Sequence, residues 1–246
     1  MKITITPNER DFDISAAWRI IGQILNKPNS IIGLSTGQTT IGIHAVVAEI
    51  FKNYPFSTSK VTVFGVDELA MVPSTLHNTC TNRLLEQIVK PIRIPKENFI
   101  MPLTLSDDYE KESTLFESRL IKRGRIDLQM LGIGIDGHLG MNLPGTPFES
   151  NTRLVPLIGE LEQRIRKMSN LSSDRQLAGI TLGIRTIMNI KKIVLVAKGK
   201  QKANIIKQAI LGPVTPDIPA SVLQLHTNCE FLLDLDAASE LTDIDQ

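Results

Sequence analysis

The sequence predicts a single α/β domain over residues 1–246, built as a doubly wound, mostly parallel, Rossmann-like sheet with helices on both faces. Short apolar runs rich in Val, Ile and Leu recur along the chain with little alternation, which is typical of strands covered on both sides. Segments with helical spacing separate these runs, and alternating strands and helices favour a parallel sheet. The length of 246 residues suits one large domain with a substantial core.

The predicted strands are residues 30–36, 60–67, 126–134 and 191–199. The predicted helices are residues 13–26, 40–52, 78–90, 109–123 and 200–211. In the first helix, a 3.6-residue spacing predicts one buried face, made of Ile14, Ala17, Trp18, Ile21 and Leu25. Ligands of such folds lie at the carboxyl ends of the strands, so the residues that follow each strand are the candidates for a site.

Composition limits the partners. The net charge of +1 and the aromatic content of 4% give no case for nucleic acid or an acidic membrane surface. Cys80 and Cys229 are far apart and lack metal-ligand spacing, which predicts reduced, buried thiols. The N-terminus carries charges where a signal peptide needs an apolar run, and no segment reaches the ~20 apolar residues of a membrane span. We therefore expect a soluble, cytoplasmic protein.

The first candidate follows the strand at 30–36. Residues 35–40, STGQTT, form a strand-to-helix turn of small hydroxyl residues and a glycine, where backbone N–H groups at a helix N-terminus can bind phosphate. The turn has neither the lysine of a Walker loop nor the GxGxxG dinucleotide pattern. An ordinary N-capping turn is the alternative interpretation.

The second candidate is the pair Asp67 and Glu68, at the end of the next apolar run. Adjacent residues of a strand point to opposite faces, so we expect at most one of the two carboxylates to face a site. A carboxylate with little water around it can act as a general base. A capping role on the loop is the alternative.

The third candidate is the glycine-rich stretch 131–145, LGIGIDGHLGMNLPG, which follows a buried strand. Its glycines permit unusual backbone angles and close approach of a ligand. Asp136 can hold one imidazole nitrogen of His138 and fix its tautomer, which leaves the other nitrogen free to move protons.

The fourth candidate is a cluster of cations at a helix start, namely Lys198, Lys200 and Lys202, which a bound phosphate would neutralise. A solvated basic face is the alternative there.

These four features, in this order, resemble the glucosamine-6-phosphate deaminase family, also called glucosamine/galactosamine-6-phosphate isomerases, with the 6-phosphogluconolactonases as cousins. The resemblance runs from about residue 10 to 235. The stretches DELAMVPSTLHNTCTNRLL, GITLGIRTIMNIKKIVLVAKGKQKA and DIPASVLQLHTN look closest to the galactosamine-6-phosphate branch. The resemblance implies opening of a 2-amino aldose 6-phosphate, isomerisation, and release of fructose- or tagatose-6-phosphate and ammonia. It implies no metal or organic cofactor, and either a monomer or a homo-oligomer.

The resemblance also implies roles. Asp67 would carry the proton from C2 to C1, His138 would assist ring opening, and Asp136 would orient His138. The implied phosphate-binding residues are Ser35, Thr36, Gly37, Thr39 and Lys202, with an arginine. The implied sugar contacts are Glu68, Gly134 and Gly140. The arginine is one of Arg164, Arg166 and Arg175, of which we select Arg175; it lies in residues 157–177, a charged segment interpreted as a mobile lid.

The sequence departs from the family pattern at Leu143, where the deaminases carry a glutamate that completes the ring-opening set. Leucine transfers no proton, so three alternatives stay open. Ring opening is slower or uses another group, the substrate differs at C4 or C1, or the protein hydrolyses a lactone as the 6-phosphogluconolactonases do. A non-catalytic sugar-phosphate sensor is a further hypothesis from a different class.

Overall fold

The computed structural model describes residues 1–171 and 176–241. Its ten strands, in chain order, are β1 (Lys2–Thr6), β2 (Ile31–Leu34), β3 (Thr62–Gly65), β4 (Asp67–Ala70), β5 (Phe99–Ile100), β6 (Leu128–Gly132), β7 (Arg153–Pro156), β8 (Ala178–Thr181), β9 (Ile193–Ala197) and β10 (Cys229–Asp234). Seven of them form a parallel sheet in the order β1-β10-β9-β6-β2-β3-β5. The α/β class and the mostly parallel sheet are thereby confirmed. Three strands form a second, antiparallel sheet in the order β4-β8-β7, which the sequence did not predict.

The helices described are α1 (Glu9–Asn26), α2 (Gln38–Asn53), α3 (Cys80–Leu84), α4 (Tyr109–Arg123), α5 (Gly159–Ser169), α6 (Ile184–Met188) and α7 (Ala203–Leu211). A π-helical turn, Leu85–Val89, continues α3, and 3-10 turns cover Lys96–Asn98, Lys200–Lys202 and Pro219–Leu225. Local signals explain the boundaries. Asn8 caps α1 by accepting a hydrogen bond from the backbone N–H of Asp11 at 2.9 Å. Asp108 caps α4 in the same way, and α4 ends at Gly124, whose φ is +105°.

Helices cover both faces of the large sheet, as predicted. Helices α1 and α2 pack on one face, and α4, α6 and α7 pack on the other. Strand β9 shows why its sequence is continuously apolar: Ile193 and Leu195 belong to one core, and Val194 and Val196 belong to the other.

The predicted buried face of α1 is wrong by about one position. The buried stripe is centred on Phe12, Ala16, Ile20 and Ile24, and it shares only Ala17 and Ile21 with the predicted set. Trp18 is 50% exposed and Leu25 is 52% exposed. Two adjacent stripes of this helix both satisfy helical spacing, and the stripe that packs against α2 and the sheet is the buried one.

The segment 60–67, predicted as one strand, contains β3 and the first residue of β4. The chain pairs with β2 as far as Val66, whose backbone N–H donates to Leu34. It then leaves the large sheet, and Asp67 pairs with Thr181 in the second sheet. In the large sheet, β3 lies on one side of β2 and β6 lies on the other. The strand order therefore reverses at β2, and the carboxyl ends of these three strands form the topological switch point of the sheet.

No helix in the described ranges, 1–171 and 176–241, is both long and apolar enough to cross a membrane.

Candidate active site

A cavity of about 300 Å³ opens at this switch point. It is lined by the loop after β2, by Asp67 at the start of β4, by the loop after β6 with His138, by Lys202 after β9, and by one side of α5. Its volume lies at the lower end of the range for small-molecule sites. All four candidate segments of the sequence therefore reach one cavity. The segment after β9 contributes Gln201 and Lys202.

The loop at 35–40 presents the start of helix α2 to the cavity. Gly37 is the N-cap of α2, and no side chain caps the helix there, so the first backbone N–H groups of α2 are available to an anion. The hydroxyl of Ser35 donates to the carbonyl of Met130 at 2.8 Å, and that of Thr36 donates to Cys80 Sγ at 3.2 Å. Main-chain groups and Thr39 therefore offer more to an anion than the hydroxyl of Ser35 does.

Lys202 is the only one of the three predicted lysines among the cavity-lining residues. Its Nζ donates to the carbonyl of Ile133 at 2.8 Å. Burial and the charge of Arg164 lower the pKa of Lys202 to about 8. The other two lie elsewhere: Lys198 pairs with Glu9 and Asp13, and Lys200 is exposed, as the alternative of a solvated basic face would have it.

Asp67 lies at the point where the chain passes from one sheet to the other, so its carboxylate enters the cavity. Burial raises its pKa, although Cys80, His138, Arg83 and Arg164 act in the opposite direction. A carboxylate with a raised pKa is a better proton acceptor at neutral pH than an exposed one.

Gly140 lies beside the Oδ2 atom of this carboxylate. Its φ is +60°, and an added Cβ would lie 3.4 Å from Asp67 Oδ2 and 2.8 Å from Thr181 Oγ1. A side chain here would collide with Thr181 and Val66, and the backbone angle itself favours glycine. The bare main chain keeps Oδ2 open to a ligand.

The predicted sugar contact of Glu68 is wrong. Its side chain is fully buried, and its two carboxylate oxygens accept hydrogen bonds from the backbone N–H groups of Leu69, Cys80 and Thr81 at 2.6, 2.9 and 2.7 Å. The alternation of a strand places it on the face opposite Asp67, as expected for adjacent residues. Glu68 therefore anchors the start of α3 instead of contacting a ligand.

Asp136 and His138 form a pair in the loop after β6. His138 Nδ1 lies 2.6 Å from Asp136 Oδ1, which also accepts the backbone N–H of His138 at 3.2 Å. Burial acts to raise the pKa of Asp136, but the hydrogen bonds and charge of His138 outweigh it and lower that pKa to about 2. The ionised carboxylate keeps the proton on Nδ1, so Nε2 is the nitrogen left for a ligand.

Gly134 permits this pairing. A Cβ on Gly134 would lie 2.1 Å from His138 Nδ1 and 2.5 Å from Asp136 Oδ1, which no side chain can tolerate. Its backbone N–H donates to the carbonyl of His138 at 3.0 Å and closes the turn. Gly134 and Gly140 thus both line the cavity. The Asp136–His138 pair excludes a side chain at Gly134, and Thr181 and Val66, together with a positive φ, exclude one at Gly140.

Leu143 lies outside the residues that line the cavity. It is partly buried against an apolar cluster that is separate from the two cores of the large sheet and includes Leu69, Met141, Leu157 and Leu161. Among the described residues, Asp136 is the carboxylate that hydrogen-bonds His138. Leu143 packs against α5 instead.

Replacing Leu143 by Glu is expected to destabilise the fold. A carboxylate in this cluster loses apolar packing and water, at a cost of about 1–3 kcal/mol in the free energy of unfolding. For a chain of this size that corresponds to a drop in Tm of roughly 2–4 °C per kcal/mol, measured by thermal melting. Leu143→Met, which conserves volume, is the control and is expected to melt close to the parent protein. An unchanged Tm with faster turnover of cyclic substrate would show instead that a carboxylate at 143 reaches His138.

Sequence reasoning missed several cavity residues. Arg83 and Cys80 reach it from α3, and no strand-end signal marks them because α3 is held there by Glu68. Arg164, one of three arginine candidates, lines the cavity from α5, whereas Arg166 pairs with Glu162 at 2.7 Å. Arg175, which the sequence favoured, lies outside the described residues. The described part of the predicted lid contains helix α5, and its mobility stays a prediction.

Comparison with known proteins identifies the family of the chain. Residues 19–231 match the family model of glucosamine-6-phosphate isomerases/6-phosphogluconolactonase. Relatives include the glucosamine-6-phosphate deaminases of Clostridium botulinum (strain Langeland), 36% identical over 98% of this chain and 99% of the relative, and of Clostridium novyi (strain NT), 34% identical over 98% and 100%.

Solved structures give the same result. One described as a monomeric glucosamine-6-phosphate deaminase has a TM-score of 0.93 at 30% identity and covers 98% of this chain and 100% of its own. A 6-phosphogluconolactonase from Trypanosoma brucei, at 19% identity and a TM-score of 0.74 over 98% of both chains, shares the fold. The fold is that of the α/β class, and the relatives support an enzyme that acts on a sugar phosphate. The chain belongs to the family of glucosamine-6-phosphate isomerases and 6-phosphogluconolactonases.

Proposed function

We propose that this protein deaminates and isomerises a 2-amino-hexose 6-phosphate, glucosamine-6-phosphate or galactosamine-6-phosphate, to the ketose 6-phosphate and ammonia. One observation carries the proposal. The carboxylate of Asp67, the imidazole of His138 and the start of helix α2 face a single cavity of sugar-phosphate size. The name of the curated relatives favours the gluco epimer, and the stretches noted in the sequence favour the galacto epimer.

The phosphate binds at the start of α2. Backbone N–H groups after Gly37 and the hydroxyl of Thr39 contact its oxygens, and Lys202 and Arg164 supply charge from two other sides of the cavity. Arg164 takes the role that the sequence assigned to Arg175, because its charge already acts on both Lys202 and Asp67. A dianion between these groups is stabilised by both the helix terminus and the cations.

Ring opening is assigned to His138. Nε2 moves the proton between the C1 hydroxyl and the ring oxygen, while Asp136 holds Nδ1–H and stabilises the transient charge of the ring. The C1–O5 bond breaks and C1 becomes an aldehyde, with no net change in protons. No second carboxylate is required from position 143.

Proton transfer is assigned to Asp67. Oδ2 removes the proton from C2 of the open chain, and O1 of the aldehyde becomes a hydroxyl by gaining a proton that the amino group gives up in the course of the step. The same carboxyl returns its proton from the enolamine to C1, which leaves a hydroxymethyl group at C1 and an imine at C2. The resulting C2 imine then adds water and releases ammonia, which leaves the ketose. The raised pKa of Asp67 suits a group that must both accept and return a proton.

The test is ammonia release from purified protein with glucosamine-6-phosphate and galactosamine-6-phosphate, each followed to the ketose phosphate. We expect release from at least one of them, and the ratio of the two kcat/KM values assigns the epimer. Hydrolysis of 6-phosphogluconolactone without ammonia from either sugar would replace the proposal by the lactonase function. Saturable binding of both sugars without turnover would replace it by the sensor function.

The pKa of Lys202 predicts a loss of kcat/KM at alkaline pH. Lys202 is protonated below its pKa of about 8 and loses its charge as the pH rises through that value, which weakens phosphate binding in the free enzyme. Lys202→Met should remove this limb and lower kcat/KM by roughly 10–100-fold, as expected for a hydrogen bond to a charged group. Lys200→Met, which changes an exposed lysine two residues away, should leave the profile unchanged. An alkaline limb that persists in Lys202→Met would contradict the assignment.

A further inference from the structure

Three side chains from separate elements form a hydrogen-bonded row beside the cavity. Thr36, after β2, donates its hydroxyl proton to Cys80 Sγ at 3.2 Å. Cys80, the first residue of α3, donates its thiol proton to Asp67 Oδ1 at 3.4 Å. The row links the loop that starts α2 to the carboxylate that is assigned as the base, and all three residues line the cavity.

The thiol is held in this place by the backbone around it. The buried carboxylate of Glu68 accepts the N–H of Cys80, and Thr79 caps α3 by accepting the N–H of Asn82 at 3.1 Å. Because Glu68 is the residue next to Asp67, the same strand that carries the base also fixes the thiol against it. Cys80 is 9% exposed, so most of its side chain is held by protein atoms.

The two oxygens of Asp67 are therefore different. Oδ1 accepts the thiol proton, and Oδ2 lies beside the bare main chain of Gly140. We propose that Cys80 is a positioning residue: its thiol holds Oδ1 of Asp67, so that Oδ2 alone faces C1 and C2 of the substrate. This inference rests on the proposed function.

Burial raises the pKa of the Cys80 thiol well above its usual value, so the sulfur keeps its proton and acts as a donor at neutral pH. Its hydrogen bond favours the ionised form of Asp67 and opposes the effect of burial on that carboxyl. Removal of the thiol should therefore raise the pKa of Asp67 further and let the carboxylate rotate. Neither effect touches the phosphate-binding groups.

The experiment compares Cys80→Ala, Cys80→Ser and Cys229→Ser. We expect Cys80→Ala to lower kcat about 10-fold or more, the effect of losing one hydrogen bond to a charged group, with KM within about twofold. Its acid limb of kcat/KM should move to higher pH. Cys80→Ser keeps a donor and should recover most of kcat and the parent pH profile. Cys229→Ser alters the other buried thiol, on β10, and should behave as the parent protein.

Several outcomes overturn the inference. An unchanged kcat and acid limb in Cys80→Ala, or a Cys80→Ser variant as impaired as Cys80→Ala, shows that the thiol does not act as a donor. A fall in rate without a shift of the acid limb indicates packing alone. If the parent protein releases no ammonia, the proposed function fails, and the inference is then tested by the infrared S–H stretching band in the Cys229→Ser background. Asp67→Ala, which removes the acceptor, should shift that band, and an unshifted band overturns the contact.

Discussion

Replacement of Asp67 by Asn is expected to lower kcat by on the order of 10²–10⁴-fold, the range that a general base contributes. The amide has the same shape and can still accept the thiol proton of Cys80 at Oδ1. It cannot take a proton from C2, and no other carboxylate lines the cavity among the described residues. Because the phosphate-binding groups are unchanged, the affinity for substrate, measured by calorimetric titration, should remain within a few-fold of the parent value.

The control for this variant is Asp107→Asn, which removes an exposed carboxylate remote from the cavity lining. It should retain full activity. A second readout is proton transfer itself: in deuterated water the parent enzyme should place part of the label at C1 of the product, and Asp67→Asn should catalyse no such exchange. Near-parental turnover by Asp67→Asn would remove this residue as the base and, with it, the assignment of Cys80.

The fold could be read largely from the sequence because its signals are local. Continuous apolar runs marked the central strands, and helical spacing marked the helices between them. The strands β1, β5 and β10 and the second sheet were not predicted. Strands β1 and β5 are short and lack a continuously buried run, and β4, β7 and β8 become a sheet only through tertiary pairing. The boundary at Val66 has the same cause: nothing local distinguishes a strand that ends from one that changes sheets.

The site could be predicted to the extent that strand ends determine it. Asp67, His138 and Lys202 follow strands, and the structure brings them to one cavity. Glu68 was misassigned because its burial depends on the backbone of α3, thirteen residues further on. Cys80 and Arg83 were missed for the same reason, since a helix that follows a long loop carries no sequence mark of where tertiary contacts hold it.

Replacement of His138 by Asn is expected to lower kcat/KM on the cyclic sugar by on the order of 10²-fold or more. The shorter amide can still donate to Asp136 near the place of Nδ1, but it has no atom where Nε2 lies. The variant then depends on sugar that opens spontaneously in solution. Only this fraction binds productively, so the apparent KM should rise by the inverse of that fraction.

The dependence on spontaneous ring opening distinguishes His138→Asn from Asp67→Asn, which a single rate measurement does not. With His138→Asn, the rate should stop increasing with enzyme concentration once spontaneous opening limits supply, whereas Asp67→Asn should remain slow at every concentration because the step after opening is lost. His77→Asn, an exposed histidine change, should show neither effect. A His138→Asn rate that keeps rising in proportion to enzyme would mean that ring opening uses another group.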